Sequence, residues 1–340
     1  MIPAPPVFEI QLDPLTARTS PSKGTRASKK KSLSKQYGGI HAGSWVDILP
    51  KSWIPYVQLS RLSPPVGLIL IYFPHLFGVV HAASVQSSSV SDVLYISGIL
   101  AVGSFFCNNG SHAWNDLVDA PIDAKIERTK MRPIPRGAIS RQAAFAFSVS
   151  QAILAAACLL PLGFETAIAT IPTILATLYY PFAKRHTYFA QVVLGFCLTW
   201  GVMVGSSSMG VEAPWKQESA MSLLLASNLW VILFDTVYAH QDLEDDLKVG
   251  VKSLAVLCNG RARPLLWTLF LGMCTCLYWC GVTGGLGVPY FVITVGGCVF
   301  SVGSMVALVD LKDPESCWKW FATGFWFTAL SILTGLSANY

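Results

Sequence analysis

Long uncharged runs of apolar residues alternate with short polar segments along most of the chain. The longest such runs are Pro64 to Ser91, Val93 to Asn115, Gln142 to Phe164, Pro264 to Val309 and Trp320 to Tyr340. An α-helix needs about 20 apolar residues to cross a bilayer, and lipid offers no partners for backbone groups outside helices or closed barrels. The pattern therefore predicts nine spanning helices, at about 64–84, 93–115, 142–161, 166–182, 188–208, 219–240, 263–282, 288–309 and 320–338.

The composition of the chain supports this pattern. Of the 340 residues, 53% are hydrophobic and 13% are charged, and the mean hydropathy is +0.50. Soluble domains carry about 25% charged residues. The composition excludes a soluble enzyme, a nucleic-acid binder and a disordered scaffold, and it predicts an all-α integral membrane protein.

The basic residues lie almost entirely on one side of the predicted membrane. Nine of the 24 Lys and Arg residues precede the first span, and Lys216 is the single one on the opposite side when nine spans alternate. Cytoplasmic loops are enriched in Lys and Arg. We therefore expect a cytoplasmic N-terminus, a C-terminus across the membrane, and a net charge of +5 that reflects topology.

The first 50 residues differ from the rest of the chain. Pro, Ser, Lys and Gly dominate them, and they hold too few apolar residues to build a core. We predict a disordered, basic cytoplasmic tail over 1–50 and a single domain over 51–340. A mitochondrial leader is the alternative, but Glu9 and Asp13 are atypical of one. An endomembrane location, in the endoplasmic reticulum or Golgi, is favoured over the mitochondrial inner membrane.

Two connections on the predicted cytoplasmic side are crowded with charge, and together they hold nine of the nineteen acidic residues. Asp119 and Asp123 are followed by Lys125, and Asp242 and Asp246 are followed at the same spacing by Lys248. One connection precedes the third span and the other precedes the seventh. A four-plus-four arrangement with a ninth helix appended would make both acidic clusters face one central cavity, as in other membrane proteins that hold a ligand between repeats.

The acidic clusters predict a magnesium site. Offsets of three and four residues place Asp116, Asp119 and Asp123 on one helical face, where like charges repel. Carboxylates without enough cations to pair them favour a divalent ion, and Mg²⁺ prefers a few carboxylates together with substrate phosphate oxygens. The candidate ligands are Asn115, Asp116, Asp119, Asp123, Asp242 and Asp246.

Cations and aromatic residues complete this predicted site. The basic side chains near the clusters are Arg128, Lys130, Arg132, Arg136, Lys184 and Lys248. A ring of Arg and Lys around the carboxylates suits a diphosphate bridged by two Mg²⁺. The wall below is expected to be apolar and aromatic, with Trp114, Tyr180, Tyr188, Trp200 and Tyr238.

Simpler explanations exist for the same residues. Interfacial loops carry charge because they are wet, and Trp and Tyr favour the membrane interface. Intramembrane Asp clusters also occur in cation-coupled transporters. Two matching clusters on the same side, each followed by basic residues, favour a binding site over a solvated loop.

The motifs resemble those of the UbiA-type intramembrane aromatic prenyltransferases. Asn115-Asp116-x-x-Asp119-x-x-x-Asp123 is similar to the first Asp-rich motif of that family, and Arg128-Thr129-x-x-Arg132-Pro133-x-x-x-Gly137 to its continuation. Asp235-Thr236-x-Tyr238-Ala239-His240-Gln241-Asp242-x-x-Asp245-Asp246 looks like the second motif of 4-hydroxybenzoate polyprenyltransferases, and Gly250-x-Lys252-Ser253 follows it. Tyr180-Pro181-x-x-Lys184 resembles the short Tyr-Pro-Lys element.

The resemblance implies nine helices around a cavity, two Mg²⁺ and a prenyl diphosphate donor. It implies catalytic roles for the five aspartates, Tyr180 and Lys184, diphosphate binding by Arg128, Arg132, Lys184 and Lys248, and acceptor binding by Arg61, Asn115 and Tyr238. No nucleic-acid partner is expected.

Three departures from the 4-hydroxybenzoate enzymes alter groups near the acceptor. They are Arg61-Leu62-Ser63-Pro64-Pro65-Val66-Gly67, where an Asp and a cation are missing, Ala120-Pro121 in place of an Arg, and Pro135-Arg136-Gly137. The pattern looks more like fungal enzymes that farnesylate polyketide-derived phenolic acids in meroterpenoid synthesis. The alternatives are a 4-hydroxybenzoate polyprenyltransferase of ubiquinone synthesis, a UbiA-type terpene cyclase and a cation-coupled transporter.

Overall fold

The computed structural model describes Gly39 and residues 45–259 and 261–340. This part of the chain is helical, without strands, and contains nine helices long and apolar enough to span a membrane. They are α1 (Val66–Gln86), α2 (Val90–Asp123), α3 (Arg141–Leu162), α4 (Phe164–His186), α5 (Ala190–Ser208), α6 (Glu218–Ala239), α7 (Arg263–Thr283), α8 (Val288–Leu308) and α9 (Pro314–Ser337). The predicted number and order of spans are confirmed.

Three helices differ in length or regularity from the simple spans that the sequence predicts. Helix α2 has 34 residues, because it continues past the apolar run and ends at Asp123. Helix α5 consists of two pieces, Ala190–Thr199 and Gly201–Ser208, that meet at Trp200. Helix α8 includes a π-helical segment, Phe291–Gly296. Apolar runs give the number of spans but carry no signal for these local irregularities.

The helices are arranged in a ring in which α1 contacts α2, α4 contacts α5, α5 contacts α6, and α9 returns to α1. Helix α3 packs along α2. A large core of buried side chains joins α1 and α5 to α6, α7, α8 and α9. Helices α2 to α4 contribute little to this core, so the first half of the ring leaves room for a cavity.

The crossing of α1 and α5 is unusually close because of glycines. A Cβ atom on Gly78 would lie 2.1 Å from the Val202 carbonyl oxygen, and one on Gly205 would lie 2.1 Å from the His75 carbonyl oxygen. No other residue type fits at these positions without moving a backbone. Small residues at such crossings are typical of membrane helix pairs.

Short helices precede and connect the spans. A 3₁₀ turn covers Trp45–Ile48, and helices cover Ile54–Leu59, Leu243–Val249 and Leu254–Leu257. The predicted tail over 1–50 lies outside the described residues except for Gly39 and residues 45–50. Its disorder stays a prediction, as does the side of the membrane on which it lies.

Candidate active site

One cavity of about 710 Å³ opens between the first six spanning helices. Its wall includes residues from each of α1 to α6, from the connections after α2 and α6, and Phe321 of α9. Helices α7 and α8 contribute no side chain to it. The cavity is polar where α2, α4 and α6 end, and it is mostly apolar along the rest of these helices.

The length of α2 places the first acidic cluster. At 1.5 Å per residue, a helix of 34 residues is about 50 Å long, whereas the hydrocarbon of a bilayer is about 30 Å thick. The last turns of α2 therefore extend beyond the apolar layer. They carry Asn115, Asp119 and Asp123, which all line the cavity.

The second acidic cluster reaches the same cavity from α6. Asp242 and Asp246 follow the end of this helix, at the start and middle of the short helix Leu243–Val249, and both line the cavity. The two clusters thus belong to one site, as the repeated spacing predicts.

Lys and Arg side chains pair with four of the five predicted metal-binding carboxylates. Lys184 Nζ lies 3.1 Å from Asp119 Oδ2, and Arg132 Nη1 lies 2.8 Å from Asp123 Oδ2. The expectation that the clusters lack enough cations to pair them is therefore wrong for these four carboxylates. The pairing was missed because the partners lie far away in the sequence or in the connection that folds back over α2.

One of these pairs, in which both carboxylate oxygens are bonded, joins the two acidic connections. Arg128 donates from Nε and Nη2 to both carboxylate oxygens of Asp242, at 2.6 to 2.9 Å, and from Nη1 to the Tyr238 hydroxyl at 2.8 Å. The Glu127 amide donates to Asp245 beside it, at 3.3 Å. The neighbouring Asp242 carboxylate raises the pKa of Arg128 against the opposing effect of burial. These contacts place the connection after α2 over the polar end of the cavity.

Asp116 has a different environment from the other carboxylates. It is fully buried, and it does not line the cavity. Its Oδ1 accepts hydrogen bonds from Arg61 at 2.5 Å and from Arg132 at 3.2 Å. Arg61 has a φ of +52°, in the left-handed region that non-glycine residues rarely adopt. Asp116 thus holds two arginines against the cavity, one of them in a strained backbone conformation.

The oxygen atoms at the polar end fit a hard divalent cation. Asn115 Oδ1 and Asp119 Oδ1 are buried and accept no hydrogen bond from the described residues, which is uncommon for buried oxygens. No three carboxylate, thiol or imidazole groups in the described ranges converge closely enough to hold an ion by themselves. This donor set suits Mg²⁺, which takes one or two carboxylates and completes its shell with phosphate oxygens and water.

Asp246 has no hydrogen-bond partner for its carboxylate among the described side chains, and it is buried. Burial, reinforced by the charges of Asp242 and Asp245, raises its pKa to about 8, although Arg128 and Lys184 act in the opposite direction. Near neutral pH this carboxyl group is therefore largely protonated. A cation bound beside this carboxyl group would stabilise its ionised form.

Aromatic rings lie directly below the charged end. The Lys184 ammonium is 4.7 Å from the centroid of the Tyr180 ring, and the Arg128 guanidinium is 5.0 Å from that of Tyr238. Trp114 also lines the cavity. The structure does not bring the other two predicted aromatic residues there. Tyr188 stacks beneath Lys252, and Trp200 donates to the Ala169 carbonyl.

Among the predicted cations, Arg61, Arg128, Arg132 and Lys184 line the cavity, and Lys130, Arg136 and Lys248 do not. Lys248 is exposed and lies 3.5 Å from Asp245. Sequence reasoning gave no role to two residues at the site, Arg185 and Asp235. Arg185 lies 3.6 Å from Asp119, and no sequence signal indicates this, because consecutive helical residues do not share a face. Asp235 lines the cavity within the second motif.

Comparisons with known proteins agree with this geometry. A model of the UbiA prenyltransferase family matches residues 71–330. The chain is 36% identical over 296 residues to the prenyltransferase ascA of Acremonium egyptiacum, with 86% of this chain and 87% of that protein covered. It is 31% identical over 335 residues to the mitochondrial 4-hydroxybenzoate polyprenyltransferase of Schizosaccharomyces pombe, with 97% and 91% covered.

A further relative and a solved structure extend these comparisons. The DMOA farnesyltransferase nvfB of Aspergillus novofumigatus is 33% identical over 257 residues, with 75% of this chain and 81% of that protein covered. The structure of a UbiA homolog from Archaeoglobus fulgidus bound to GPP and Mg²⁺ superposes with a TM-score of 0.60 at 17% identity, covering 84% of this chain and 99% of that one. At 17% sequence identity, this similarity shows a shared fold only.

Proposed function

Because the chain belongs to the UbiA prenyltransferase family, we propose that it transfers a farnesyl group from farnesyl diphosphate to an aromatic carbon of a phenolic acid. The reaction would depend on Mg²⁺, with two ions, and would serve meroterpenoid biosynthesis from a polyketide-derived acceptor. The observation that carries this proposal is the single cavity in which Asp119 and Asp242, from two distant helices, meet paired cations above an apolar chamber.

The charged end of the cavity supports binding of a diphosphate. Arg128 and Arg132 offer planar forks that match phosphate oxygens, and Lys184 offers a mobile point charge. These three cations would stabilise the negative charge that grows on the diphosphate as the allylic C–O bond ionises. Bound Mg²⁺ would act there as a Lewis acid on the same oxygens. Asn115, Asp119, Asp123, Asp242 and Asp246 are the residues proposed to hold it.

The side chains below the charged end support a role in stabilising and shielding the allylic cation. Tyr180 and Tyr238 come four residues before Lys184 and Asp242 respectively and line the cavity, where their rings would attract a cation formed beside the diphosphate. The surrounding apolar side chains would exclude water, which otherwise captures such a cation.

Arg61 is the group proposed to hold the carboxylate of the acceptor. It lines the cavity, and Asp116 fixes its guanidinium from behind. The named activity of nvfB, a farnesyltransferase, and the fungal origin of ascA support the choice of donor and pathway. The departures near Arg61 and at Ala120 and Pro121 favour an acceptor other than 4-hydroxybenzoate.

A 4-hydroxybenzoate polyprenyltransferase is the second candidate, since the match to the mitochondrial enzyme of S. pombe covers 97% of the chain. The two functions also differ in location, and we propose an endomembrane location for this protein. Prenylation of 4-hydroxybenzoate with long-chain donors, together with import into mitochondria, would favour the second candidate.

The proposal is tested with membranes containing the protein, Mg²⁺, donors of different chain length and a panel of phenolic acids. We expect a farnesylated phenolic acid, and we expect Asp119→Ala to lower its rate of formation about 100-fold or more, because charge stabilisation at the diphosphate is lost. Asp92→Asn is the matched control, because Asp92 lies on α2 at the opposite end and is exposed. Wild-type turnover by Asp119→Ala would contradict the proposed site.

A further inference from the structure

Asp235 is a carboxylate in the cavity that donor binding does not use. It lies within α6, seven residues before Asp242, and it lines the cavity together with Tyr238 and Asp242. The structure gives its side chain no hydrogen bond and no ion pair with any described residue. A partly buried carboxylate without a partner is costly in an apolar setting, so its presence requires a reason.

The depth of Asp235 distinguishes it from the diphosphate-binding groups. Asp235 lies four residues, or roughly 6 Å along the axis, inside the end of α6 at Ala239, whereas Asp242 follows beyond that end. Tyr238 lies between them, at the level at which the allylic cation is proposed to form. Asp235 therefore lies on the acceptor side of the reacting carbon, whereas Asp242 and Asp246 lie on the diphosphate side.

The other carboxylates that line the cavity are engaged or distant. Asp119, Asp123 and Asp242 are bonded to Lys184, Arg132 and Arg128, and Asp246 lies a further turn beyond Asp242. The charged groups that act on Asp235 from neighbouring elements are Lys184 and Arg128, and each of these is already bonded to another carboxylate. Asp235 is thus the carboxylate with a free oxygen lone pair deepest in the cavity.

The chemistry of aromatic prenylation requires a proton acceptor at this depth. When the ring carbon forms its bond to C1 of the prenyl group, it still bears its hydrogen and the ring is cationic. The C–H bond must then break, with its electron pair restoring the aromatic ring. A positioned carboxylate commonly serves as the base for such a step.

We propose, on the basis of the proposed function, that Asp235 is the catalytic base that removes this proton. The ring proton passes to a carboxylate oxygen of Asp235, which becomes a neutral carboxylic acid. The group returns its proton to water when the prenylated phenol leaves. No oxidant or further reactant is needed.

His112 is the competing base at a similar depth, seven residues before Asp119 on α2 and also on the cavity wall. It lies near the Arg61 and Arg132 guanidinium groups, whose combined effect on it exceeds the opposing effect of the Asp116 carboxylate. A proton accepted by this imidazole would place a third positive charge beside them. The geometry therefore assigns the step to Asp235.

The test compares wild type with Asp235→Asn in full-length, purified protein, with Glu218→Gln as the control. Glu218 is an exposed acid at the opposite end of α6. The acceptor is a phenolic acid that the wild type prenylates, with and without deuterium on the ring. Three quantities are measured: kcat, the deuterium isotope effect on kcat, and the ratio of released diphosphate to prenylated product.

In Asp235→Asn we expect kcat to fall about 100-fold or more, as for loss of a general base. A primary isotope effect larger than in wild type should appear, because loss of the ring proton becomes rate-limiting. Diphosphate release should exceed product formation. The ring cation that keeps its proton can release the allylic cation again, and water then captures the allylic cation. A purely structural role would produce neither the isotope effect nor the excess diphosphate. Glu218→Gln should match wild type in all three.

The proposal is overturned if Asp235→Asn keeps the wild-type kcat and isotope effect, or if these changes appear in His112→Asn instead. Asp235→Glu, which keeps the carboxylate, is measured in the same way should the Asn variant fail to fold. A lowered kcat in the Glu variant with the wild-type isotope effect would also overturn the proposal. A wild type that prenylates no phenolic acid refutes the proposed function itself, which is a different result.

Discussion

A single oxygen atom, Asp116 Oδ1, holds two arginines of the site. It accepts hydrogen bonds from Arg61, which comes 55 residues earlier in the chain, and from Arg132, which comes 16 residues later. Removal of one partner from a buried ion pair leaves the other charge uncompensated, at a cost of about 3–5 kcal/mol. Asp116 thus acts as the counter-ion that positions Arg61 rather than as a residue on the cavity surface.

Replacement of Asp116 by Asn should therefore act first on the acceptor. We expect the KM for the phenolic acid to rise about 10-fold or more, because Arg61 loses the group that fixes it, and the thermal midpoint of the ligand-free protein to fall. Steady-state kinetics with each substrate varied in turn measures this. If Asp116 is instead a magnesium ligand, the variant will chiefly raise the Mg²⁺ concentration needed for half-maximal rate.

Asp246 provides a prediction about pH. Its pKa is about 8 in the folded protein, against 3.8 for a free Asp side chain. Between these values the folded state binds the extra proton, so the free energy of unfolding falls as pH rises, by at most about 1.4 kcal/mol per pH unit. Above about pH 8 both states are ionised and the loss is complete.

Asp246→Asn keeps the neutral shape and cannot ionise. We expect its thermal midpoint without ligands to exceed that of wild type by a margin that grows from pH 6 to pH 8 and then stays constant, while its prenyl transfer is impaired. Thermal unfolding followed across this pH range is the measurement. A margin that stays constant from pH 6 to pH 8 would show that Asp246 is already ionised in the free protein.

The sequence predicted which side chains of the site share a helical face but not which ones pair. Offsets of three, four and seven residues follow from the helical period, so the placement of Asp119 and Asp123 could be anticipated. The contacts of Asp119 with Lys184 and of Asp242 with Arg128 connect residues 65 and 114 positions apart. Such contacts depend on how whole helices pack, and no local pattern records them.

At the scale of elements, the close contact between α1 and α5 fixes one wall of the cavity. His75 and Leu70 of α1 and Val204 of α5 line it near the crossing, and Gly78 and Gly205 make the crossing possible. An added methyl group on either glycine must push the two backbones apart. The apolar composition of α5 gave no indication of this contact.

Gly205→Ala should therefore destabilise the protein by about 1–3 kcal/mol, as overpacking does in other cores, and it should lower the thermal midpoint. Gly98→Ala is the matched control, because Gly98 is helical in α2 and a Cβ there would meet no atom within 4 Å. Gly98→Ala should leave the thermal midpoint unchanged. Equal midpoints for the two variants would show that the crossing tolerates a wider separation.

At the scale of the whole molecule, apolar run lengths were sufficient for the number and order of helices. They could not reveal that the cavity lies within the first six helices and that α7 and α8 pack into the core beside it. Every span reads as apolar in sequence. Which of them faces lipid, core or cavity depends on packing, and hydropathy alone does not distinguish these environments.

The distribution of basic residues predicts the orientation of the molecule, with the acidic connections in the cytoplasm. In sealed vesicles of known orientation, a membrane-impermeant thiol reagent should label Lys130→Cys from the cytoplasmic side and Glu212→Cys from the other side only. Both positions are exposed, and they lie in connections at opposite ends of the spans. The reverse labelling pattern would contradict the predicted topology.

The ion pairs at the polar end of the cavity have a consequence for the order in which ligands bind. Magnesium alone competes with Lys184 and Arg128 for the carboxylates of Asp119 and Asp242, and a diphosphate alone competes with the same carboxylates for these cations. When both arrive, each displaced group finds a new partner of opposite charge. We therefore expect strong positive cooperativity between metal and donor, and the factor by which either tightens the binding of the other must be the same.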